Sequence, residues 1–263
     1  MLNLSFPGPG KNASYHNHSL FSDGTATPEA MVRAAKAAGL KEFGLSDHMV
    51  CPPEGVEEVS WSMKWEHLKQ YVEILQKLKK ELEDESFTLK IGLEVDFFFE
   101  NASDVVKKLR SLPLDYLIGG VHIAGTFPVD HSIGPWLELT LEERDAVCET
   151  YWKKVQGAAE SGLFDFIAHL DLPKKFGVID QERYFSHAFK LLELAQKSHT
   201  AIELNTAGWF KECNEQYPNI VILKEACRRE IPVFISADAH DPNHVNRNFD
   251  LAEKVLKEAG YPL

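Results

Sequence analysis

Cysteine is sparse and unpaired in this sequence. Cys51, Cys148, Cys213 and Cys227 are widely spaced and form no Cys-x-x-Cys pair. That argues against a thiolate zinc finger and against a disulfide framework. Basic charge is also short: 28 Lys and Arg stand against 40 Asp and Glu, a formal net charge of −12. Duplex nucleic acid and anionic membranes both want a basic footprint, so neither is an expected partner. No apolar run approaches the ~20 residues of a membrane span. Residues 1–7 lack the basic start and apolar core of a signal peptide, and a cytoplasmic protein is the expectation. There is no low-complexity segment, no interdomain linker and no Gly-x-Ser-x-Gly elbow. Gly8-Pro9-Gly10-Lys11 lacks the spacing and the following helix of a phosphate loop.

What the chain does hold is apolar periodicity of two alternating kinds. At 263 residues, 44% hydrophobic and 26% charged, it can bury a sizeable core, and residues 1–263 read as one domain. Strands are expected at 13–18, 42–46, 88–98, 116–122, 165–169, 201–204 and 233–236. Helices are expected between them. Thr27-Pro28 starts one whose inner stripe is Met31, Ala34, Ala35 and Ala38, closed by Gly39. Another spans 64–83, with Leu68, Tyr71, Val72, Leu75, Leu78 and Leu82 on one face. A third covers 102–110, and Thr140 to Glu143 forms a capping box that opens a helix to Ser161. The last three cover 181–198, 219–229 and 244–259. Long loops fill 49–62 and 123–139. Seven strand–helix repeats predict an α/β fold, a parallel sheet closed into a barrel with helices outside.

The chemistry-bearing residues sit at the C-terminal ends of those strands. His16 and His18 lie two apart, so a strand puts both imidazoles on one face. Asp23 follows in a Ser-Asp-Gly turn. Further along come Asp47-His48, Glu94, His122, His169 and Asp238-Ala239-His240. Each alone has an ordinary reading as a hydrogen-bonded histidine or a turn carboxylate. Their joint placement at separate strand ends of one barrel points to metal. Imidazole nitrogen with carboxylate oxygen suits zinc, manganese or iron. Two ions about 3.5–4 Å apart can share a bridging carboxylate and activate a water, and Glu94 is the candidate bridge. His67, His187, His199 and His244 fall in helices or turns and read as surface or structural groups, whereas His131 lies in a loop that overhangs the site.

These motifs, taken together and in order, resemble the PHP (polymerase and histidinol phosphatase) superfamily over nearly the whole chain. They are His-Asn-His with Ser-Asp-Gly, Ser-Asp-His, Gly-Leu-Glu-Val-Asp, Gly-Gly-Val-His, Ala-His-Leu-Asp and Ser-Ala-Asp-Ala-His. The resemblance implies a single-domain distorted (β/α)7 TIM-like barrel. It looks closest to the histidinol-phosphatase branch, through Ala168-His169-Leu170-Asp171 with Lys174-Lys175-Phe176, Glu203-Leu204-Asn205-Thr206-Ala207-Gly208, and Tyr217-Pro218.

By position the resemblance implies three divalent ions. The first would be held by His16, His18, Glu94 and Asp238, the second by Glu94, His122 and His169, the third by Asp23, His48 and His240. Catalytic roles would fall to Glu94, Asp238 and His240. The implied reaction is hydrolysis of a small phosphorylated metabolite, L-histidinol phosphate, in histidine biosynthesis. One position departs: Phe210 stands where relatives of this branch tend to carry an Arg. Lys211 and Arg247 are then the candidates for holding phosphate. Alternatives are a phosphoesterase for another small ester or a nucleotide, and a non-catalytic metal-binding module.

Overall fold

The structure, a computed structural model, describes residues 10–263. The readings at residues 1–7, Gly8 and Pro9 lie outside the described residues. Seven parallel strands hydrogen-bond in chain order, and a two-residue eighth, His48–Met49, pairs in parallel with Glu94 and Val95 off that path. The seven are β1 (Ala13–Ser14), β2 (Glu42–Leu45), β3 (Thr88–Asp96), β4 (Tyr116–Gly120), β5 (Phe166–Ile167), β6 (Ala201–Asn205) and β7 (Val233–Ser236). A bridge between Asn17 and Ala239 joins the last strand to the first, with the His18 N–H donating to the Ala239 carbonyl at 2.9 Å. The sheet is therefore nearly closed into a barrel.

Parallel neighbours need a crossover after every strand. Helices supply it: α1 (Pro28–Ala37), α2 (Trp65–Leu82), α3 (Ala102–Leu109), α4 (Leu141–Ser161), α5 (Phe185–Ser198), α6 (Ile220–Arg228) and α7 (Phe249–Ala259). Their ends follow local chemistry. The Thr27 hydroxyl accepts from the Ala30 N–H and opens α1. Thr140 and Glu143 satisfy each other's backbone N–H groups and open α4. Gly162, at φ 62°, stops that helix in the left-handed region where a side chain would be strained. The six apolar residues expected on the inner face of α2 are all buried.

The barrel interior is filled below and left polar above. Tyr15, Tyr116, Phe166 and Phe234 pack against one another in edge-on, tilted and stacked pairs near the strand starts. A Cβ at Gly44 or Gly92 would fall 2.2 Å from the Tyr116 side chain, so the missing side chains there make room for that ring. With the bottom closed by aromatics, the polar strand ends above are the open face of the barrel.

Several boundaries differ from the sequence reading. The first strand pairs only at Ala13–Ser14, not over 13–18, because the Asn17 side chain donates to the Ser14 and Gly44 carbonyls and interrupts the ladder. His16 and His18 lie past it. The 123–139 loop contains a hairpin, Ile123–Ala124 with Phe127–Pro128, and a short helix, Ile133–Glu138, anchored by buried Trp136. The helix expected at 181–198 starts as a 3-10 turn, Gln181–Tyr184. The last helix begins at Phe249 instead of 244, because Asn248 adopts φ 58° and breaks the run from the Pro242–His244 turn. Of the stripe expected in α1, Met31 and Ala35 are buried and Ala34 packs on the core, Val32 joins them, and Ala38, just past the helix, is exposed. Among the described residues, no helix is long and apolar enough to cross a membrane, and the four cysteines are free thiols. Burial pushes the Cys51 thiol up to about 11, which keeps it protonated and unreactive.

Candidate metal centre

His16, His18, Asp23, His48, Glu94, His122, His169, Asp238 and His240 meet at the C-terminal mouth of the barrel. Glu94, near the end of β3, is the hub and is fully buried. Its Oε1 lies 2.9 Å from His169 Nε2 and 3.5 Å from His122 Nε2. Its Oε2 lies 2.8 Å from His48 Nδ1, 3.1 Å from His16 Nε2 and 3.7 Å from His18 Nε2. One carboxylate thus faces two sets of histidines with its two oxygens. Asp238 Oδ1 lies 3.2 Å from His18 Nε2 and 3.7 Å from His16 Nε2. Asp23 Oδ1 lies 3.2 Å from His240 Nε2 and 3.6 Å from His48 Nε2. Donor atoms close enough to share an ion form overlapping groups, and His48 belongs both with Asp23 and His240 and with Glu94 and His122.

The backbone is bent to achieve this. His169 and Asp238 hold φ of 22° and 49°, conformations that non-glycine residues seldom adopt. Both directly follow a barrel strand and its next residue, where the chain must turn while the side chain still points inward. Gly120 shows the same crowding: a Cβ there would sit 2.7 Å from Glu94 Oε1. Having no side chain at position 120 lets the backbone approach the Glu94 carboxylate closely.

Charge is balanced within the cluster. Burial pushes the Glu94 carboxyl up, but the His16, His48 and His122 imidazoles outweigh it and hold it well below its usual range. Burial likewise opposes, and His16, His18 and His240 overcome, to depress Asp238. His18 behaves oppositely. Burial, then the neighbouring His48 and His240, push it down to about 3, so its nitrogen lone pair stays free at neutral pH. His122 is raised to about 10 against its burial, by Asp96 and then Glu94. In a set of this kind protons and cations compete for the same nitrogens.

Sequence reasoning assigned no role to the residues that orient this set. Asp96 Oδ1 lies 2.5 Å from His122 Nδ1 and fixes which nitrogen faces Glu94. Glu203 is fully buried; its Oε1 lies 2.8 Å from His16 Nδ1, and its Oε2 accepts from the His169 backbone N–H at 3.0 Å. The Asn205 amide donates to Glu203 Oε2 and to Asp238 Oδ2. Period-2 spacing was the available signal: Asp96 shares a strand face with Glu94, and Glu203 with Asn205. Asp47 does not face the centre. It accepts from the backbone N–H and hydroxyl groups of Ser19 and Ser22, and so pins the turn that carries Asp23. Glu203→Gln is expected to lower metal affinity about 10–100-fold, because the carboxylate that orients His16 is lost. Titration with zinc or manganese followed by calorimetry checks it.

Two adjoining cavities open above the cluster. The first, about 300 Å³, is lined by His122, His169, Asp238 and His240 together with Lys175, Lys211 and Arg247. The second, about 550 Å³, shares Asp23, His48, His122, Asp130 and Lys175 with the first and extends under both long loops to Glu58, Trp61 and His131. Trp61 packs edge-on against His48 and His122. His131 is exposed at that mouth, as its loop position suggested. His244 lines the first cavity, although its position near a helix start suggests only a surface or structural role.

The donor atoms fit divalent cations. His16 Nε2, His18 Nε2, His48 Nδ1 and Glu94 Oε2 are buried, point at one another and have no hydrogen-bond partner; uncompensated, such burial is costly. Fold and donor set define the class: a parallel α/β barrel with a carboxylate–imidazole site for divalent metal. A sequence model of the PHP domain matches residues 14–207, and the chain belongs to the PHP domain family. A probable histidinol-phosphatase of Deinococcus radiodurans is 36% identical over 248 residues, covering 93% of this chain and 92% of that one. The histidinol-phosphatase of Lactococcus lactis is 24% identical over 257 residues, covering 95% and 92%. In fold, the chain is similar to the crystal structure of the Lactococcus lactis histidinol phosphate phosphatase complexed with zinc, L-histidinol and phosphate. The TM-score is 0.81 at 23% identity, covering 96% of this chain and 95% of that one.

Proposed function

We propose that this protein hydrolyses L-histidinol phosphate to L-histidinol and inorganic phosphate. The observation that carries the reading is the placement of Glu94, whose two oxygens face separate histidine groups beside a chamber that Lys211 and Arg247 help to line. His16, His18, Glu94 and Asp238 would hold one ion, Glu94, His122 and His169 a second, and Asp23, His48 and His240 a third, with zinc, manganese or iron as the metal. When bound, such ions stabilise phosphoryl charge as Lewis acids and lower the pKa of water from ~15.7 toward ~7.

The chain's own groups supply the rest. Lys211 and Arg247 have no carboxylate partner among the described ion pairs and face the first chamber, which suits a phosphate dianion. Burial, then the like charge of Lys175, lowers the Lys211 pKa, so an incoming anion relieves repulsion there. Lys175 is already neutralised, 3.1 Å from Asp130. The leaving alcohol would occupy the second chamber, where the Trp61 ring offers a face for a planar imidazole and Glu58 and Asp130 offer charge to an ammonium.

Phosphate release from L-histidinol phosphate by manganese- or zinc-loaded protein tests the proposal, run beside sugar phosphates, nucleotides and an aryl phosphate. The expected result is kcat/KM for histidinol phosphate roughly 10²-fold or more above the panel, since a site built for specific polar groups rejects substrates that lack them. Turnover of the aryl phosphate with none of histidinol phosphate would overturn the substrate and leave the hydrolase.

A further inference from the structure

Phe210 is a large apolar side chain, 54% exposed, at the end of the Thr206–Phe210 turn beside the first chamber. Its position is fixed from below. Asn205 Oδ1 accepts from the Ala207 N–H at 2.8 Å, and the Lys211 N–H donates to the Gly208 carbonyl at 3.1 Å. Gly208 cannot be enlarged without displacing the turn, because a Cβ there would meet the Glu215 carbonyl oxygen at 2.1 Å. Over the Phe210 ring, 4.6 Å from its centroid, lies the guanidinium of Arg247. Arg247 comes from a different part of the chain, the segment after β7. One of its terminal nitrogens donates to the Ala237 carbonyl at 3.3 Å, directly before Asp238, and its Nε is buried with no partner.

We propose that Phe210 is a positioning residue: its ring is the platform that holds the Arg247 guanidinium flat, with its free N–H edge turned to the phosphate end of the chamber. This deepens the reading above and rests on the first chamber receiving phosphate. Guanidinium on an aromatic face is an attractive, geometrically defined contact. A flexible arginine held in one plane loses less entropy when it forms its paired hydrogen bonds to an oxyanion. The chain thus supplies a planar cation from position 247 and spends position 210 on aiming it. An exposed phenylalanine beside a polar chamber gains a physical reason that core packing does not give it.

The test is a double-mutant cycle in the metal-loaded protein, using Phe210→Ala, Phe210→Tyr, Arg247→Ala and the Phe210→Ala/Arg247→Ala pair. Two quantities are read: inorganic phosphate affinity by calorimetry, and kcat and KM for the phosphomonoester. Phe210→Ala should weaken phosphate binding about 3- to 30-fold, raising KM more than it lowers kcat. Phe210→Tyr should restore binding to within about 3-fold, since the ring face is kept. Once Arg247 is removed, Phe210→Ala should add almost nothing. Additive effects, or unchanged phosphate affinity in Phe210→Ala, would overturn the platform role. So would a wild-type protein that binds no phosphate. A wild type that binds phosphate with the coupling intact but turns over no ester would keep the platform and overturn the proposed function.

Discussion

Glu94→Gln is expected to remove at least one equivalent of bound metal and to lower kcat/KM on the order of 10³-fold. The size follows from the two-sided use of this carboxylate. Oε1 faces His169 and His122, and Oε2 faces His48, His16 and His18. An amide puts an NH₂ on one side, which cannot ligate, and removes the negative charge from both. It also leaves several buried imidazoles without their counter-charge. Metal content by elemental analysis and phosphate release should fall together, with secondary structure preserved by circular dichroism. Full metal content with full turnover would show that Glu94 does not bridge. Glu94→Asp, which keeps the charge and shortens the reach, should retain more metal than the amide.

Tyr116→Ala is expected to carry the largest stability loss of any change away from the site, about 3–5 kcal/mol. At about 2–4 °C per kcal/mol for a chain of this size, the unfolding midpoint should drop by about 6–20 °C. The ring is fully buried in the lower barrel, T-shaped against Tyr15 and stacked with Phe166, and its hydroxyl donates to the Tyr15 carbonyl. Gly44 and Gly92 cannot fill the space it leaves. Thermal unfolding followed by circular dichroism measures the drop. A loss below about 1 kcal/mol would mean that the barrel floor collapses onto the cavity. Tyr116→Phe separates the hydroxyl from the ring and should cost only about 1 kcal/mol.

Much of this was readable in the chain. The seven-fold alternation of strand and helix, the α2 face and the Thr140 capping box come from periodicity and local hydrogen bonding, which need no partner element. The histidines and carboxylates at strand ends were legible for the same reason, because the parallel-barrel topology sends every strand end to one face. The folded segments within 123–139 were not, since Trp136 fixes a six-residue helix through burial that no local pattern announces. Nor was the end of the first strand, where one asparagine side chain competes with the ladder.

The sequence by itself determined the fold class, the order of the elements and the residue types that gather at the barrel mouth. Those depend on interactions between near neighbours and on chain connectivity. Only the tertiary structure decided which oxygen of Glu94 faces which histidine, that Asp96 and Glu203 set the orientation of His122 and His16, and that Arg247 meets Phe210. Each of those is a contact between side chains far apart in the chain, over distances of a few ångströms, and spacing along the chain can place a residue on a face but cannot say which partner it meets.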